Sequence, residues 1–205
     1  MGLKERIKSN PSLKRVSHWL MSSKNDPRPR WWMRTFVNPF VHTRKRGAKI
    51  RSKARVDTFP YNKFSLGEMS IVEDYSVINN GVGDVEIGNE SMIGIGSVLI
   101  GPIQVGNNVI LAQHIVASGL NHGYTDVEIP PSKQPVDCRK IVIDDNVWIG
   151  ANAVITAGVT IGKHTVIGAG SVVTKSIDSY CIAVGNPARV IKKFSFELNK
   201  WLPVK

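Results

Sequence analysis

A single histidine, His122, lies near the start of the longest irregular stretch of the sequence, residues 118–140. On both sides of this stretch aliphatic residues recur at a fixed spacing, and inside it the spacing stops. An imidazole titrates close to neutral pH, so it can accept and return a proton under physiological conditions. Functional residues often lie on loops that a rigid scaffold holds in place. His122 is therefore the first candidate for acid–base chemistry.

The scaffold is indicated by aliphatic residues at every sixth position. On the two sides of the loop this series comprises Ile87, Ile93, Leu99, Val105, Leu111, and then Ile143, Ile149, Ile155, Ile161, Ile167 and Val173. An earlier pair, Ile71 and Val77, has the same spacing but is out of step, which we attribute to four extra residues within NNGVGD. Gly, Asn and Asp recur between the aliphatic residues, where corners with positive φ would favour them.

A period of six fits neither a 3.6-residue helix nor the alternation of an ordinary strand. It is typical of a hexapeptide solenoid, in which three short strands close one coil of about eighteen residues. A parallel sheet with helical connections is the alternative, but its crossovers need about a dozen residues. No such connection fits between aliphatic residues six apart. The sequence therefore predicts an all-β chain folded as a triangular prism of parallel strands.

The segments IGNESMIGIGSVLIG, VWIGANAVITAGVTIGKHTVIGAGSVVTK and AVGNPARVIKKF resemble those of the hexapeptide-repeat acyltransferases. Within that family they are most similar to the maltose, galactoside and polysaccharide O-acetyltransferase branch. The resemblance covers residues 64–193. It implies a left-handed parallel β-helix, a homotrimer with active sites between neighbouring prisms, acetyl-CoA as co-substrate and no metal.

The resemblance also implies roles for individual residues. His122 would be the general base, and the backbone N–H of Ala151 would stabilise an oxyanion. Five residues correspond to the donor site of the family: Ala151, Ala169, Thr174, Arg189 and Lys192. The family often has a second arginine where this chain has Lys192, which keeps the charge but lacks the bidentate guanidinium.

The acceptor side is less sharply defined by the sequence. Relatives carry an asparagine near the NNGVGD stretch that contacts the acceptor, and both Asn79 and Asn80 fit this place, with Asp84 as a further candidate. Turn formation is the alternative role for these residues. Trp148 stands between two apolar residues, so alternation predicts that it turns outward and lines the groove or packs between subunits.

A zinc site is the alternative use of the histidines, because related prism folds include zinc-dependent carbonic anhydrases. Their motif places two histidines five residues apart, whereas His114 and His122 are eight apart and the chain between them leaves the repeat. We expect His114 to occupy a corner or groove and His164 to face solvent at a corner.

The positive charge is concentrated in residues 1–55, which contain sixteen Lys and Arg against two acidic residues. We expect residues 1–48 to form a basic helical or irregular segment, residues 49–192 the β-helix, and residues 193–205 a short helix or capping segment. Apolar spacings of three and four predict an amphipathic helix over residues 12–22. The basic segment would cap the first coil, or lie on an anionic membrane surface, or bind nucleic acid; we expect no nucleic-acid partner.

Together these features predict an O-acetyltransferase that acts on a saccharide hydroxyl, which could be lipid-linked, in cell-surface polysaccharide assembly. Transfer to an amine, on an amino sugar or a xenobiotic, is the enzymatic alternative. A trimeric scaffold at a membrane surface is the alternative without catalysis. Two isolated cysteines give no disulfide framework, which favours the cytoplasm, with possible contact at the inner face of the membrane.

Overall fold

The computed structural model describes residues 9–23 and 26–204 of the 205-residue chain. The first eight residues of the expected basic segment, and residues 24, 25 and 205, lie outside the described residues. The N-terminal part contains helix α1 (Pro11–Met21), strands β1 (Ser22–Ser23) and β2 (Asp26–Pro29), a π-helical segment (Met33–Val37) and helix α2 (Asn38–Val41). α1 begins where the Asn10 side chain accepts hydrogen bonds from the N–H groups of Ser12 and Leu13, and it confirms the predicted helix.

Short strands then follow one another through the rest of the chain. Those of the solenoid before the loop are β3 (Thr43–Arg44), β4 (Lys49–Ile50), β5 (Arg55–Asp57), β6 (Phe64–Leu66), β7 (Ile71–Val72), β8 (Val77–Asn79), β9 (Val85–Ile87), β10 (Met92–Ile93), β11 (Val98–Ile100), β12 (Ile103–Val105), β13 (Ile110–Leu111) and β14 (Val116–Ser118). The loop contains β15 (Leu120–His122), a 3-10 turn (Pro131–Lys133) and β16 (Val136–Cys138). The remaining strands are β17 (Ile141–Ile143), β18 (Trp148–Ile149), β19 (Val154–Ile155), β20 (Thr160–Ile161), β21 (Val166–Ile167), β22 (Val172–Val173), β23 (Cys181–Val184), β24 (Arg189–Ser195) and β25 (Lys200–Pro203).

These strands form three parallel sheets that are the three faces of a prism. The first face is built from β4, β7, β10, β13, β18, β21 and β23, the second from β5, β8, β11, β14, β19 and β22, and the third from β3, β6, β9, β12, β17 and β20. The chain visits the faces in rotation, and each strand pairs with the one a full coil later, as Val98 with Val116. The result is the predicted left-handed parallel β-helix of about six turns.

The core is a column of aliphatic side chains along the axis of the prism, in which Leu99, Leu111 and Ile149 are fully buried. The out-of-step pair was assigned wrongly from the sequence. Val72 and Ile78 are the buried residues, whereas Ile71 and Val77 point outward and are only partly buried. In a strand a shift of one residue reverses the two faces, and the column requires three extra residues near NNGVGD instead of four.

Buried hydroxyl groups join successive coils at the corners. The Ser70 hydroxyl donates to the carbonyl of Gly88 at 2.7 Å, and the Ser76 hydroxyl donates to that of Gly94 at 2.9 Å. Ser91 repeats the contact one coil higher, with its hydroxyl 2.8 Å from the Gly106 carbonyl. Each of these serines stands four residues after a buried aliphatic residue, so a small hydroxyl side chain at that position hydrogen-bonds a corner carbonyl of the next coil.

The segment from Met33 to His42 covers the open end of the first coil, and we call it the basal cap. Met33 is 3% exposed, and the Asn38 side chain donates to the carbonyl of Thr58 at 2.8 Å. The ring of His42 packs edge-on against Phe64, with the ring centroids 5.9 Å apart. A solenoid needs such a cover because its terminal coil has no neighbour. None of the described helices is long and apolar enough to cross a bilayer.

Two boundaries differ from the sequence expectation. The first coil begins with β3 at residue 43 instead of 49, and the C-terminal segment forms strands β24 and β25 instead of a short helix. β24 pairs antiparallel with the edge strand β23, and β25 pairs antiparallel with β24. Phe194 and Trp201 face each other across that last pair, with ring centroids 5.4 Å apart. An available sheet edge and this aromatic pair favour strands over a helix.

Substitution of Ile149 by alanine should lower the free energy of unfolding by about 2–5 kcal/mol, because the column cannot collapse around the cavity. The matched control is Ile191→Ala, since Ile191 is 40% exposed on β24. Urea denaturation of both variants measures the difference. Equal losses in the two variants would contradict the central position of the column.

The basal cap should weaken in mild acid. Burial lowers the pKa of His42 below its ordinary value of 6.5, so the folded state prefers the neutral ring. The contribution of the neutral His42 ring to the free energy of unfolding is fully present above pH 6.5. It is lost as the pH falls from that value through the lowered pKa of the folded state. Thermal unfolding as a function of pH should therefore show a flatter acid limb in His42→Leu, whereas His18→Gln on the exposed face of α1 should follow the parent chain.

Candidate active site

The loop that carries His122 leaves the prism at the edge between the second and third faces, which we call the arm edge. β14 ends at Ser118 on the second face, and β17 begins at Ile141 on the third. At its base the loop is an antiparallel hairpin, in which Leu120 faces Cys138 and His122 faces Val136. We call residues 119–140 the arm. The regular hairpin base was not apparent from the sequence, which predicted only an irregular excursion.

The tip of the arm is organised around Gln134, which is 9% exposed. Its side-chain nitrogen donates to the carbonyls of Asp126 and Ile129, at 2.8 and 2.6 Å. These bonds fix the outer part of the arm without a hydrophobic core of its own. His122 itself is exposed, at the point where the hairpin pairing ends. Its imidazole is thus presented to the space beside the prism on a structured arm.

A column of side chains runs along the arm edge below His122. Asn79, Ile100 and Ser118 occupy equivalent positions on β8, β11 and β14, so they are stacked one coil apart on the outer surface of the second face. Asn79 is partly exposed, and its Oδ1 accepts a hydrogen bond from the N–H of Gly81 at 2.7 Å. The fold therefore places this predicted acceptor residue on the same edge as His122, two coils away.

Asn80 and Asp84 are tied into the scaffold. Asn80 is fully buried; its Oδ1 accepts from the N–H of Phe59 at 2.7 Å, and its nitrogen donates to the carbonyls of Phe59 and Asn62. The Oδ1 atom of Asp84 accepts from the N–H of Lys63 at 2.7 Å. The structure thus gives Asn80 a structural role, and of the two asparagines it leaves Asn79 as the acceptor candidate.

Ala151 and Ala169 are stacked at a different edge, between the first and second faces, which we call the alanine edge. The N–H of Gly170 donates to the Ala151 carbonyl at 2.8 Å, which holds the two corners together. The N–H groups of both alanines donate to no atom of the described residues. Gly170, at φ +68°, has open space where a side chain would stand. Exposed N–H donors beside an unobstructed backbone suit an extended ligand that carries carbonyl groups, so the residues present fit a pantetheine arm.

The other predicted donor residues lie around the top of the prism. Ala188, hydrogen-bonded through its N–H to the Val172 carbonyl, brings Arg189 above the alanine edge. Lys192 faces Ile182 across β24 and β23 on the first face. Thr174 instead follows β22, at the arm edge. One chain therefore groups Ala151, Ala169 and Arg189 but places Thr174 on the opposite side of the second face.

Trp148 points outward from the first face, as alternation predicted. It is 52% exposed and lies between Ile110 and Val166 in the neighbouring strands. Tyr124, which the sequence patterns did not indicate, is 77% exposed and lies two residues after His122 on the arm. As the only aromatic residue of the arm apart from His122, it carried a signal that could have identified it as a wall of the site.

The remaining histidines and the thiols do not form a second reactive centre. His114 occupies a corner of the alanine edge at φ +56°, and the ring of His164 stacks on that of Tyr180 at 5.4 Å. Across residues 9–23 and 26–204, no three His, Cys, Asp or Glu side chains converge as metal ligands would. Burial raises the pKa of Cys138 and of Cys181, which disfavours the thiolate form that a nucleophile needs.

Comparison with known proteins agrees with this geometry. The family model described as bacterial transferase hexapeptide (six repeats) matches residues 140–175, and that of the hexapeptide repeat of succinyl-transferase matches residues 84–113. The chain thus carries hexapeptide repeats of this kind both before and after the arm. This confirms the resemblance that the sequence motifs indicated.

Three similar proteins bear on function. Galactoside O-acetyltransferase of Escherichia coli K12 is 40% identical over 93 residues, 45% of each chain. A candidate O-acetyl transferase of lipopolysaccharide biosynthesis from the same organism is 31% identical over 106 residues, 48% of this chain and 54% of that protein. AntD, an N-acyltransferase from Bacillus cereus crystallised with dTDP and 3-hydroxybutyryl-CoA, superposes with a TM-score of 0.66 at 26% identity, over 78% of this chain and 86% of that one. The chain spans about half the length of the curated relatives it matches.

Substitution of the two adjacent asparagines should change the free energy of unfolding by different amounts. Asn80→Ala leaves the buried N–H of Phe59 without a partner and removes the bond to the Asn62 carbonyl, so it should cost about 1–3 kcal/mol. Asn79→Ala removes one hydrogen bond at a partly exposed site and should cost less than about 1 kcal/mol. Urea midpoints of the two variants test this assignment, and a larger loss for Asn79→Ala would reverse it.

Proposed function

We propose that the protein is an acetyl-CoA-dependent O-acetyltransferase that acts on a saccharide hydroxyl. The observations that carry the proposal are an exposed imidazole, His122 on the arm, and N–H donors at Ala151 and Ala169 on the alanine edge that have no partner among the described residues. A general base and an oxyanion donor are what acyl transfer from a thioester to a hydroxyl requires. Two of the similar proteins are named as O-acetyl transferases, which supports the same reaction.

In this mechanism His122 accepts the proton of the acceptor hydroxyl as its oxygen forms a bond to the thioester carbonyl carbon. The N–H of Ala151 donates to the carbonyl oxygen, which becomes negatively charged in the tetrahedral intermediate. When the carbon–sulfur bond breaks, the imidazolium gives its proton to the sulfur of the departing CoA. The products are an acetyl ester and free CoA, and His122 returns to its neutral form.

The site requires a second copy of the chain. His122 stands at the arm edge and Ala151 at the alanine edge, on opposite sides of the second face. In a trimer of parallel prisms, the arm edge of one subunit can face the alanine edge of the next. That arrangement brings Thr174 of one subunit to the donor groove of its neighbour, whose Arg189 and Lys192 would offset the phosphate charges of CoA.

The outer surfaces of the prism support this association. The outward residues of the first face form an apolar row: Ile71, Met92, Ile110, Trp148, Val166 and Ile182. Those of the second face form a row of valines: Val77, Val98, Val116, Val154 and Val172. The third face presents Ser65, Glu86, Gln104, Val142 and Thr160. Two different apolar faces suit a contact of one face on the other, which closes into a ring.

The proposed role is acetylation in cell-surface polysaccharide assembly, at a cytoplasmic location. The similarity to the candidate lipopolysaccharide O-acetyl transferase supports the role, and the free thiols Cys138 and Cys181 fit a reducing compartment. N-acylation of an amino sugar is the second candidate, and the superposition with AntD, an N-acyltransferase, is the observation that favours it. Asn79 would orient the acceptor in either case.

Substitution of His122 by asparagine should lower kcat by about 10²–10⁴-fold, because the general base is lost. His164→Asn is the matched control, since His164 has a positive φ that asparagine tolerates and lies at a different corner. CoA thiol release from acetyl-CoA, measured with a panel of saccharides, gives kcat for both variants. Unchanged turnover in His122→Asn would remove His122 from the mechanism.

The product distinguishes the two candidate reactions. Mild alkali cleaves an acetyl ester but leaves an acetamide intact, so the mass of the labelled sugar before and after treatment identifies the bond formed. We expect loss of the acetyl group on treatment. Titration calorimetry with CoA tests the alternative that the protein is a scaffold without catalysis. A scaffold would neither bind CoA nor release thiol with any acceptor.

A further inference from the structure

Helix α1 turns its apolar side away from the protein. Leu13, Val16 and Leu20 are spaced by three and four residues, so they share one helical face. Their exposed fractions are 47%, 53% and 45%, whereas Ser17, on another side of the helix, is partly buried. A helix that only closed the end of the prism would bury its apolar face against the first coil. The apolar face of α1 therefore has no cover among the described residues and is free for a partner outside them.

The basal cap has the same two-sided character. Met33 and Asn38 point toward the first coil and are at least nine-tenths buried. On the outer side Phe36 is 60% and Phe40 87% exposed, and Trp31, two residues before the cap, is 71% exposed. Trp31 and Phe36 meet edge-on with ring centroids 5.9 Å apart. Large apolar side chains are thus exposed both on α1 and on the cap. Exposed apolar surface that is concentrated in this way is typical of a binding surface.

The charge of the same segment specifies the partner. Residues 1–55 carry sixteen basic and two acidic residues, and Asp26 is paired with Arg28 at 2.7 Å. Arg30 links α1 to the cap, since its Nε donates to the Trp19 carbonyl and its guanidinium lies 5.4 Å from the indole centroid. Trp19 is nevertheless 64% exposed. Exposed aromatic rings in a segment rich in arginine and lysine match the interface of an anionic bilayer, where rings enter the headgroup region and cations stay among the phosphates.

We propose that this basal surface, comprising the exposed side of α1 and the outer side of the basal cap with Trp31, docks the protein onto an anionic phospholipid bilayer. Docking needs no transmembrane helix, since the apolar side chains enter only the interfacial layer. Three such surfaces would lie at the same end of a trimer of parallel prisms and would bind the bilayer together. This gain in membrane affinity rests on the proposed oligomer.

The geometry gives the docked protein a defined orientation. The arm leaves the prism four coils above the base, which corresponds to about 15–20 Å at the spacing of neighbouring strands. With its base on the bilayer, the protein would hold His122 at that height above the headgroups. An acceptor saccharide attached to a membrane lipid could reach the site from there, whereas the polar third face and the C-terminal strands would remain in water.

Vesicle sedimentation of the full-length chain tests the proposal. Phosphatidylcholine vesicles are compared with vesicles that also contain phosphatidylglycerol, at about 0.1 M and 0.5 M salt, because screening weakens only the electrostatic part. We expect co-sedimentation with the anionic vesicles at low salt and little with the neutral ones. Absence of binding to anionic vesicles, or equal binding to both, would overturn the proposal.

Matched substitutions locate the surface. Phe40→Ser and Trp31→Ser should each lower the vesicle partition coefficient about ten-fold, since each removes an aromatic ring from the interface. Phe196→Ser is the control, because Phe196 is 68% exposed at the opposite end of the prism. Equal partitioning of all three variants would contradict the assignment. Thermal unfolding shows whether each variant is folded. If one of the two basal variants does not fold, the other still tests the proposal.

The same protein variants also test two other binding partners of the basal surface. Retention of a duplex DNA oligonucleotide without vesicle binding would assign the surface to nucleic acid and overturn the proposal. Sedimentation velocity that shows an assembly abolished by Phe40→Ser, again without vesicle binding, would assign it to another copy of the chain. The vesicle assay contains no acetyl-CoA, so a failure of acetyl transfer would not affect it. Turnover with a water-soluble saccharide should be unchanged in Phe40→Ser.

Discussion

The inward column of aliphatic side chains is the interaction on which the whole molecule depends. Each strand of the three faces from β6 to β22 buries at least one apolar residue, and the parallel ladders require the coil above to repeat the same positions. Leu111 and Ile149 remain neighbours on adjacent strands although the arm separates them in the sequence. The column therefore tolerates a long insertion at a corner but not a shift of one residue inside a strand, because that would turn the buried side chain to the surface.

A column of this kind is rigid and has flat faces, and this determines where chemistry can occur. The corners provide unpaired N–H groups, such as that of Ala151, because the turn leaves them outside the ladders. The arm provides the side chain that the faces lack, His122. The two lie on different edges of one prism, so the proposed mechanism and the proposed association of subunits depend on the same geometry. The apolar outer rows of the first and second faces support the same proposed association.

The terminal coils at the two ends of the prism, which lack a neighbouring coil on one side, are covered in different ways. At the top, β24 and β25 extend the first face by antiparallel pairing, which consumes the edge of β23. At the base, Met33 and Asn38 close the first coil, while Trp31 and Phe40 are left outside. A segment that only capped would not need these exposed rings. The proposed contact with an anionic bilayer gives the basic N-terminal quarter a physical role separate from catalysis.

The sequence alone determined the prism, its arm and the position of His122, because a six-residue period leaves no room for helices and a break in it must protrude. It also placed Trp148 outward through alternation. Tertiary structure decided between neighbours that look alike in the sequence. Asn79 and Asn80 are adjacent, yet the coil buries Asn80 among carbonyl and N–H groups and leaves Asn79 at the surface. It decided that Val72 and not Ile71 fills the column, and that the last residues pair as strands. Burial and pairing partners in these places come from other coils, so the local pattern does not contain them.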